Sequence, residues 1–274
     1  LKMDLAPHIR ISSIAQLSRG ASWRLSMLHD RPQRLLFWIT KGQGVAVVQG
    51  RRRGVGAHNA LFLPAQTLFS LDLGHQGFGQ VLTFPATTSV ALPRAPVHLR
   101  VRDVTAQAEL TGLIEAMQRE DSGSRPFAAE ALDAYGALVA VWLRRHGQDA
   151  GTGVPEDKAA DRLVSRFAEL VARDFRTGRP MADYAKALDV TPTHLSRVCR
   201  ERLGRTASDI LTERVVYEAR LLLTGTELPI QNIARHLGFS SPAYFTRFVQ
   251  HHTGMPPSAL RRDSGPGSPA RRTA

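Results

Sequence analysis

The feature that most constrains this chain is an internal repeat in its C-terminal third. Met181-Ala182-Asp183-Tyr184-Ala185-Lys186-Ala187-Leu188-Asp189-Val190 aligns with Ile230-Gln231-Asn232-Ile233-Ala234-Arg235-His236-Leu237-Gly238-Phe239 at an offset of 49. One inserted residue later, Leu195, Arg197, Val198 and Gly204 align with Phe245, Arg247, Phe248 and Gly254 at an offset of 50. Repetition restricts architecture because each copy must form the same local unit. Each reads as a short helix, a tight turn and a second helix. Tyr184 and Leu188, or Ile233 and Leu237, would point inward, and small Ala185 or Ala234 would let the next helix approach. The turn falls on Asp189 or Gly238. A left-handed backbone is expected there, which glycine adopts without a steric penalty and aspartate tolerates better than most residues. Thr191 and Ser240 are placed to cap the second helix, since a hydroxyl accepts an orphan backbone N–H. That helix sets Leu195 and Val198, or Phe245 and Phe248, inward and leaves polar residues outside. Plain helical hairpins share part of this pattern. Matched turns and matched arginines in both copies favour two helix-turn-helix units.

The rest of the chain reads differently. Up to about Pro93 it is a series of short β-type runs: Leu35-Leu36-Phe37-Trp38-Ile39, Val45-Ala46-Val47-Val48, Ala60-Leu61-Phe62-Leu63-Pro64, Thr67 to Leu73 and Gly79 to Pro85. Lys41-Gly42-Gln43-Gly44 separates the first two, and Gly50-Arg51-Arg52-Arg53-Gly54 reads as a polar turn. Turn signals at this spacing predict an all-β sandwich or barrel. Two amphipathic helices are expected next. The first, Val104 to Arg119, carries Val104, Ala108, Leu110, Leu113, Ile114 and Met117. The second, Phe127 to His146, carries Leu132, Tyr135, Leu138, Val139 and Trp142. Gly147 to Glu156, rich in glycine, reads as a linker. The expected organisation is therefore α+β with two domains: 1–150 in front, a linker at 151–160, helical 161–262, and a disordered tail at 263–274.

Composition narrows the function classes. The chain has 274 residues and a net charge of +12, with 43% hydrophobic and 22% charged residues, a globular profile. Clustered Lys and Arg supply the phosphate-neutralising part of nucleic-acid binding, although here the excess is spread over both halves. No apolar run approaches the roughly 20 residues of a membrane-spanning helix. The opening Leu1-Lys2-Met3-Asp4 shows no secretory signal, and the single cysteine, Cys199, forms no internal disulfide or multi-cysteine metal site. A cytoplasmic location, no membrane partner and no cofactor are expected.

The helical region resembles the DNA-binding domain of the AraC/XylS family of bacterial regulators over about Asp161 to Arg262. The residues carrying the resemblance in the first unit are Ala185, Leu195, Arg197 and Gly204. Arg214, Ala219, Leu222 and Leu223 lie in the helix that joins the units. Ile233-Ala234, Gly238-Phe239, Tyr244-Phe245, Arg247-Phe248, Gly254, Pro256 and Arg261 complete the second. One departure is Asp189, where the first turn usually carries glycine. The resemblance implies that both second helices enter successive major grooves on one face of double-stranded DNA, about 34 Å apart, held by the joining helix. By position, the DNA-facing residues are Pro192, Thr193, His194, Ser196, Arg197 and Arg200 in one unit. In the other they are Ser241, Pro242, Ala243, Thr246, Arg247 and Gln250. Arginine reads guanine with a two-pronged donor fork, but the matched Arg197 and Arg247 are equally suited to anchoring phosphates.

The resemblance further implies a front regulatory domain, a cupin-like β-barrel with the two helices at its flank. Gly42-Gln43-Gly44-Val45 and Leu61-Phe62-Leu63-Pro64 sit where its motifs would fall. Such a barrel could hold a small, partly apolar effector, with Trp38, Phe62 and Phe69 as candidate contacts. Core filling accounts for the same aromatics. Metal-bearing cupins are enzymes, but His58, His75 and His98 are scattered, and Ala65-Gln66-Thr67 stands where a histidine would follow Pro64, so neither a metal nor catalysis is expected. The helices at 103–120 and 127–146 lie where family members dimerise, which makes a homodimer a further candidate partner, and an activator would also contact RNA polymerase. The main expectation is an effector-responsive, sequence-specific transcription regulator. Two others stand beside it: a ligand-independent DNA-binding protein whose front half only dimerises, and a cupin enzyme fused to a DNA-binding module.

Overall fold

The computed structural model of the chain describes residues 8–123, 125–150 and 159–263. The linker expected at 151–160 and the tail expected at 263–274 lie almost wholly outside the described residues. The front part opens with β1 (Arg10–Ser13) and two short helices, α1 (Ile14–Ser18) and α2 (Trp23–Ser26). Seven strands follow: β2 (Arg34–Lys41), β3 (Gln43–Val48), β4 (Arg51–Gly56), β5 (Asn59–Leu63), β6 (Phe69–Asp72), β7 (Phe78–Phe84) and β8 (Val97–Arg100). Helices α3 (Val104–Asp121) and α4 (Ala128–Ala150) close this half.

The strands form a five-stranded sheet in the order β1-β7-β2-β5-β8 and a three-stranded sheet in the order β4-β3-β6. The expected barrel is not closed: among the described residues no ladder joins the two sheets. Where β4 and β8 come together, the Arg100 side chain, rather than backbone, reaches the Gly54 carbonyl at 3.4 Å.

Three layers explain the near-continuous apolar runs of β2 and β5. Successive side chains on a strand point to opposite faces, and both faces of the large sheet are covered. Leu36, Trp38, Ala60, Phe62, Leu82 and Phe84 pack against Leu110, Ile114, Met117, Leu132, Val139 and Trp142 of α3 and α4. Leu35, Phe37, Ile39, Leu61, Leu63 and Val81 pack instead against Ala46, Val48, Val55, Phe69 and Leu71 of the small sheet. Each large buried apolar side chain stabilises by about 2 kcal/mol before ordering entropy is counted. The helices bury only part of the stripe expected of them: Val104 and Leu138 are 74% and 52% exposed.

The arginine run is a strand, not a turn. The β3–β4 hairpin turns on two residues, Gln49 at φ 46° and Gly50 at φ 71°, the pair of left-handed conformations that a tight hairpin needs. Two residues suffice, so Arg51, Arg52 and Arg53 enter the ladder opposite Val48, Val47 and Ala46.

The helical part comprises α5 (Ala159–Asp174), a 3₁₀ turn (Phe175–Thr177), α6 (Met181–Ala187), α7 (Pro192–Leu203), α8 (Ala207–Gly225), α9 (Ile230–His236), α10 (Pro242–Thr253) and α11 (Pro257–Asp263). Its apolar side chains form two clusters. One gathers Phe167, Tyr184, Leu188, Leu195 and Ile210, and the other Val215, Ala219, Leu222, Ile233 and Phe245. Helix α8 contributes to both, so the two repeat units share one spine.

Candidate nucleic-acid interface

Both units are built as their turn residues require. Asp189 sits at φ 56° and Gly238 at φ 77°, and the residue after each closes the turn by the same bond. Val190 N donates to Ala185 O at 3.1 Å, and Phe239 N to Ala234 O at 3.0 Å. Gly238 has a second reason to be glycine: a Cβ there would lie 2.5 Å from Gly178 N and 2.6 Å from Arg176 O. The second turn is thus wedged against the segment that leads into the first unit, which helps hold the two units in fixed relation.

Helix α7 is capped by the Thr191 hydroxyl, which accepts from His194 N at 3.2 Å, and has Pro192 in its first turn. Helix α10 is capped by Ser241, accepting from Tyr244 N at 3.2 Å, with Pro242 following. Here the structure corrects the expected cap at Ser240. The inserted residue that moves the offset from 49 to 50 lies before the cap, so the equivalent of Thr191 is Ser241. The buried edge of α7 is Leu195, Val198 and Cys199, and that of α10 is Phe245 and Val249, with Phe248 half-buried. Burial also pushes the Cys199 thiol up to about 12, which leaves it an unreactive core residue.

The outward faces collect the residues singled out in the sequence. Pro192, Thr193, His194, Arg197 and Arg200 are exposed and Ser196 is half-buried; Pro242, Ala243, Arg247 and Gln250 are exposed, with Ser241 and Thr246 half-buried. One neighbour escaped that reading. Tyr244 is 52% exposed in the first turns of α10, and the offset of 50 that pairs Arg197 with Arg247 also pairs His194 with Tyr244. Arg197 donates to Glu201 Oε1 at 2.6 Å and meets His194 Nδ1 at 3.2 Å. Both partners of the carboxylate pair are more than half exposed, so water screens it and the guanidinium is readily redirected. Arg247 has no such partner among the described residues.

Helix α8 starts with a capping box in which Thr206 and Asp209 satisfy each other's backbone N–H. Midway it carries a buried ionic cluster. Arg214, 2% exposed, donates to Asp30 Oδ1 at 2.7 Å and to Glu218 Oε2 at 3.0 Å, and lies 3.7 Å over the Phe175 ring. Arg176 donates to Glu218 Oε1 at 2.7 Å. Burial pushes the Glu218 carboxyl up, but Arg214 and Arg176 outweigh it and hold the group below the usual carboxylate range.

Asp30 belongs to the front half, so this cluster is also the seam between the halves. Leu28 N donates to Glu213 Oε1 at 3.1 Å, and the Ser165 hydroxyl donates to Gln49 O at 3.1 Å. Leu28 and Leu68 are buried in the same cluster as Val164, Phe167 and Ile210. His29, fully buried, stacks on Tyr217 with ring centroids 4.4 Å apart and meets Phe69 at 4.2 Å. Burial and the nearby Arg31 hold its imidazole well below the ordinary histidine value, hence neutral. Alongside the seam runs a cavity of about 690 Å³, walled by Arg10, Arg24, Asp30, Arg31 and Leu17 from the front half and by Tyr217, Glu218 and Leu221 from α8, with Asp30 and Glu218 both bound to Arg214.

The three candidate effector contacts are not brought together. Trp38 and Phe62 face α3 and α4, and the Trp38 indole donates to the Thr111 hydroxyl at 3.2 Å. Phe69 lies on the other side of the large sheet, against His29 at the seam.

The chain is similar to several known proteins. Residues 184–263 match a helix-turn-helix domain family. The transcriptional activator RhaR of Shigella flexneri serotype 5b is 25% identical over 248 residues, covering 87% of this chain and 82% of RhaR. The arabinose operon regulatory protein of Escherichia coli K12 is 32% identical over 81 residues, 30% of this chain and 28% of that one. Among solved structures, ToxT of Vibrio cholerae in its unsaturated-fatty-acid-bound form aligns over 93% of this chain and 95% of its own, at 13% identity and a TM-score of 0.43. With its two matched units on one spine, the segment 184–263 belongs to a helix-turn-helix domain family, and the chain is similar over most of its length to a DNA-binding transcriptional activator.

Proposed function

We propose that α7 and α10 read two successive major grooves on one face of DNA, one helical turn apart, and that the front domain adjusts this reading in response to a small molecule. The observation that carries the DNA part is the matched exposure of two capped helices on the shared spine α8. Thr193, His194, Arg197 and Arg200 then face one groove, and Ala243, Tyr244, Arg247 and Gln250 the next. Pro192, Ser196, Ser241, Pro242 and Thr246 line the edges. Selection from a pool of random duplexes tests the arrangement. The expected product is a site with two motifs about one helical turn, roughly 10.5 base pairs, apart. Arg197→Ala and Arg247→Ala should each weaken binding to that site by about 1 to 3 kcal/mol at unchanged thermal stability. Full affinity in both would remove these arginines from the interface.

The effector part rests on the cavity at the seam. Arg24 and Arg31 face it without a carboxylate partner among the described residues, and burial together with Arg19 and Arg31 lowers the Arg24 guanidinium from its ordinary value. A small anion with an apolar body fits that wall. A ligand there touches both halves, which gives it the differential affinity for docked and undocked arrangements that coupling requires. The exposed Val104, Phe127 and Leu138 on and beside α3 and α4 support a homodimer through these helices, and an activating role adds contact with RNA polymerase. The chain acts by binding in the cytoplasm, without catalysis. No helix among the described residues is long and apolar enough to cross a membrane.

A further inference from the structure

The arginine run of β4 is set against the first helix-turn-helix unit rather than out in solvent. Strand β4 packs on both α5 and α7. Its turn is clamped there: a Cβ on Gly50 would come within 2.3 Å of Val164 Cγ1 and 3.1 Å of Val164 O, and Gln49 O holds the Ser165 hydroxyl. The small cavity at this junction is lined by Gly50 from the hairpin and Leu203 from the last turn of α7. Val47 packs into the cluster of the first unit, and Arg52 stands directly opposite Val47 in the ladder. Residues paired in this way share a face of the sheet. Arg52 is therefore exposed on the side of the hairpin turned toward α7, whose own C-terminal end carries exposed Arg200 and, paired with Asp161 at 3.3 Å, Arg202.

Charge is unbalanced at this place. Neither Arg52 nor Arg53 has a carboxylate partner among the described residues. Arg100 of β8 comes in beside them, bound to the Gly54 carbonyl. Burial and Arg51 lower the Arg53 guanidinium, and burial followed by Arg53 and Arg100 brings His98 down to about 4, so the imidazole adds no charge of its own at neutral pH. Like charges gathered without counter-charges cost free energy unless an anion joins them. A recognition helix lying in a major groove has a sugar-phosphate backbone on each side of it, and phosphates take up most protein contacts to DNA.

We propose that the front domain itself touches DNA: Arg52, presented by the β3–β4 hairpin at the C-terminal end of α7, contacts a backbone phosphate beside the groove read by that helix. Arg53 and Arg100 add to the local positive field. The surface is continuous with the interface of the first unit, and its occupant is the same duplex. The proposal rests on the DNA-binding reading of α7 and adds a third contact region from the other domain.

Salt dependence tests it. The full-length chain is titrated with a duplex recovered by selection over a series of KCl concentrations, alongside Arg52→Gln, Arg52→Lys and, as a distant exposed control on α3, Arg119→Gln. The expected result is a plot of log affinity against log salt that is shallower by about 0.9 in Arg52→Gln, with weaker binding at the lowest salt. Arg52→Lys and Arg119→Gln keep the wild-type slope. An unchanged slope in Arg52→Gln overturns the proposal. So does an equal loss in Arg52→Lys, which would mean that the arginine acts by seating the hairpin rather than by its charge. Failure of the wild-type chain to bind any duplex would overturn the DNA-binding reading beneath it.

Discussion

His29 shows what a single side chain contributes to the seam. It lies between Phe69 and Tyr217 with no water access, its Nδ1 within 2.9 Å of the Met27 carbonyl and its Nε2 3.4 Å from Arg31 Nε. Burial, Arg31 and Arg214 all oppose its protonation. The folded-state value therefore lies below the unfolded value of about 6.5, and the unfolded chain takes up a proton that the folded chain refuses. Stability is complete above pH 6.5 and falls as the pH drops below it, by up to about 1.4 kcal/mol per pH unit. In His29→Phe this part of the acid sensitivity should vanish, leaving that of His98 and His252, whose values are likewise depressed. Urea unfolding midpoints between pH 7 and pH 5 measure the difference. Equal pH slopes in both proteins would show that His29 is not buried and neutral.

At the scale of elements, the two turns obey one geometry with two chemistries. Asp189 holds a left-handed backbone at some steric cost, whereas Gly238 holds it freely and also leaves room for Gly178 and Arg176. The substitutions should therefore have opposite signs. Asp189→Gly relieves strain and leaves the fold intact, with a change within about 1 kcal/mol. Gly238→Ala meets both the unfavourable φ and backbone at 2.5 Å, and should cost more than about 2 kcal/mol. Because the second turn then moves away from the first unit, Gly238→Ala should also weaken binding to the two-motif site more than to either motif alone. Denaturation curves and binding titrations on the two variants check both statements. Equal stability of Gly238→Ala and wild type would mean that the turn is not wedged against Gly178.

Over the whole molecule, the decisive feature is that one apolar cluster spans both halves. Leu28 and Leu68 from the front domain are buried with Val164 and Phe167 of α5 and Ile210 of α8. The Asp30–Arg214–Glu218 chain of charges lies alongside. Two halves joined in this way should unfold together, in a single calorimetric transition. Leu28→Glu buries a carboxylate among Leu68, Val164, Phe167 and Ile210, and a buried unpaired carboxylate costs several kcal/mol. The expected outcome is two resolved transitions, the front domain melting apart from the helical one. A single transition at a slightly lower temperature would show that the seam contributes little.

How much of this was legible in the sequence follows from the range of each interaction. The helix-turn-helix units could be read because they are local. Periodicity, turn residues and caps act within about twenty residues, and the repeat states them twice. The one slip, Ser240 for Ser241 as the cap, came from placing the inserted residue after the cap rather than before it. The strands β2, β3, β5, β6 and β7 were legible for the same reason, as short runs between turn residues, whereas β1 and β8 were not read and β4 was taken for a turn. Which face of each strand meets which layer was not, because Trp38 and Phe69 look alike in sequence and are separated only when α3, α4 and the small sheet stack on opposite sides of the large one. The role of the arginine run, the burial of His29 and the partnership of Asp30 with Arg214 were likewise invisible. They join residues as much as 188 positions apart, and no local pattern records a contact that exists only after two domains dock.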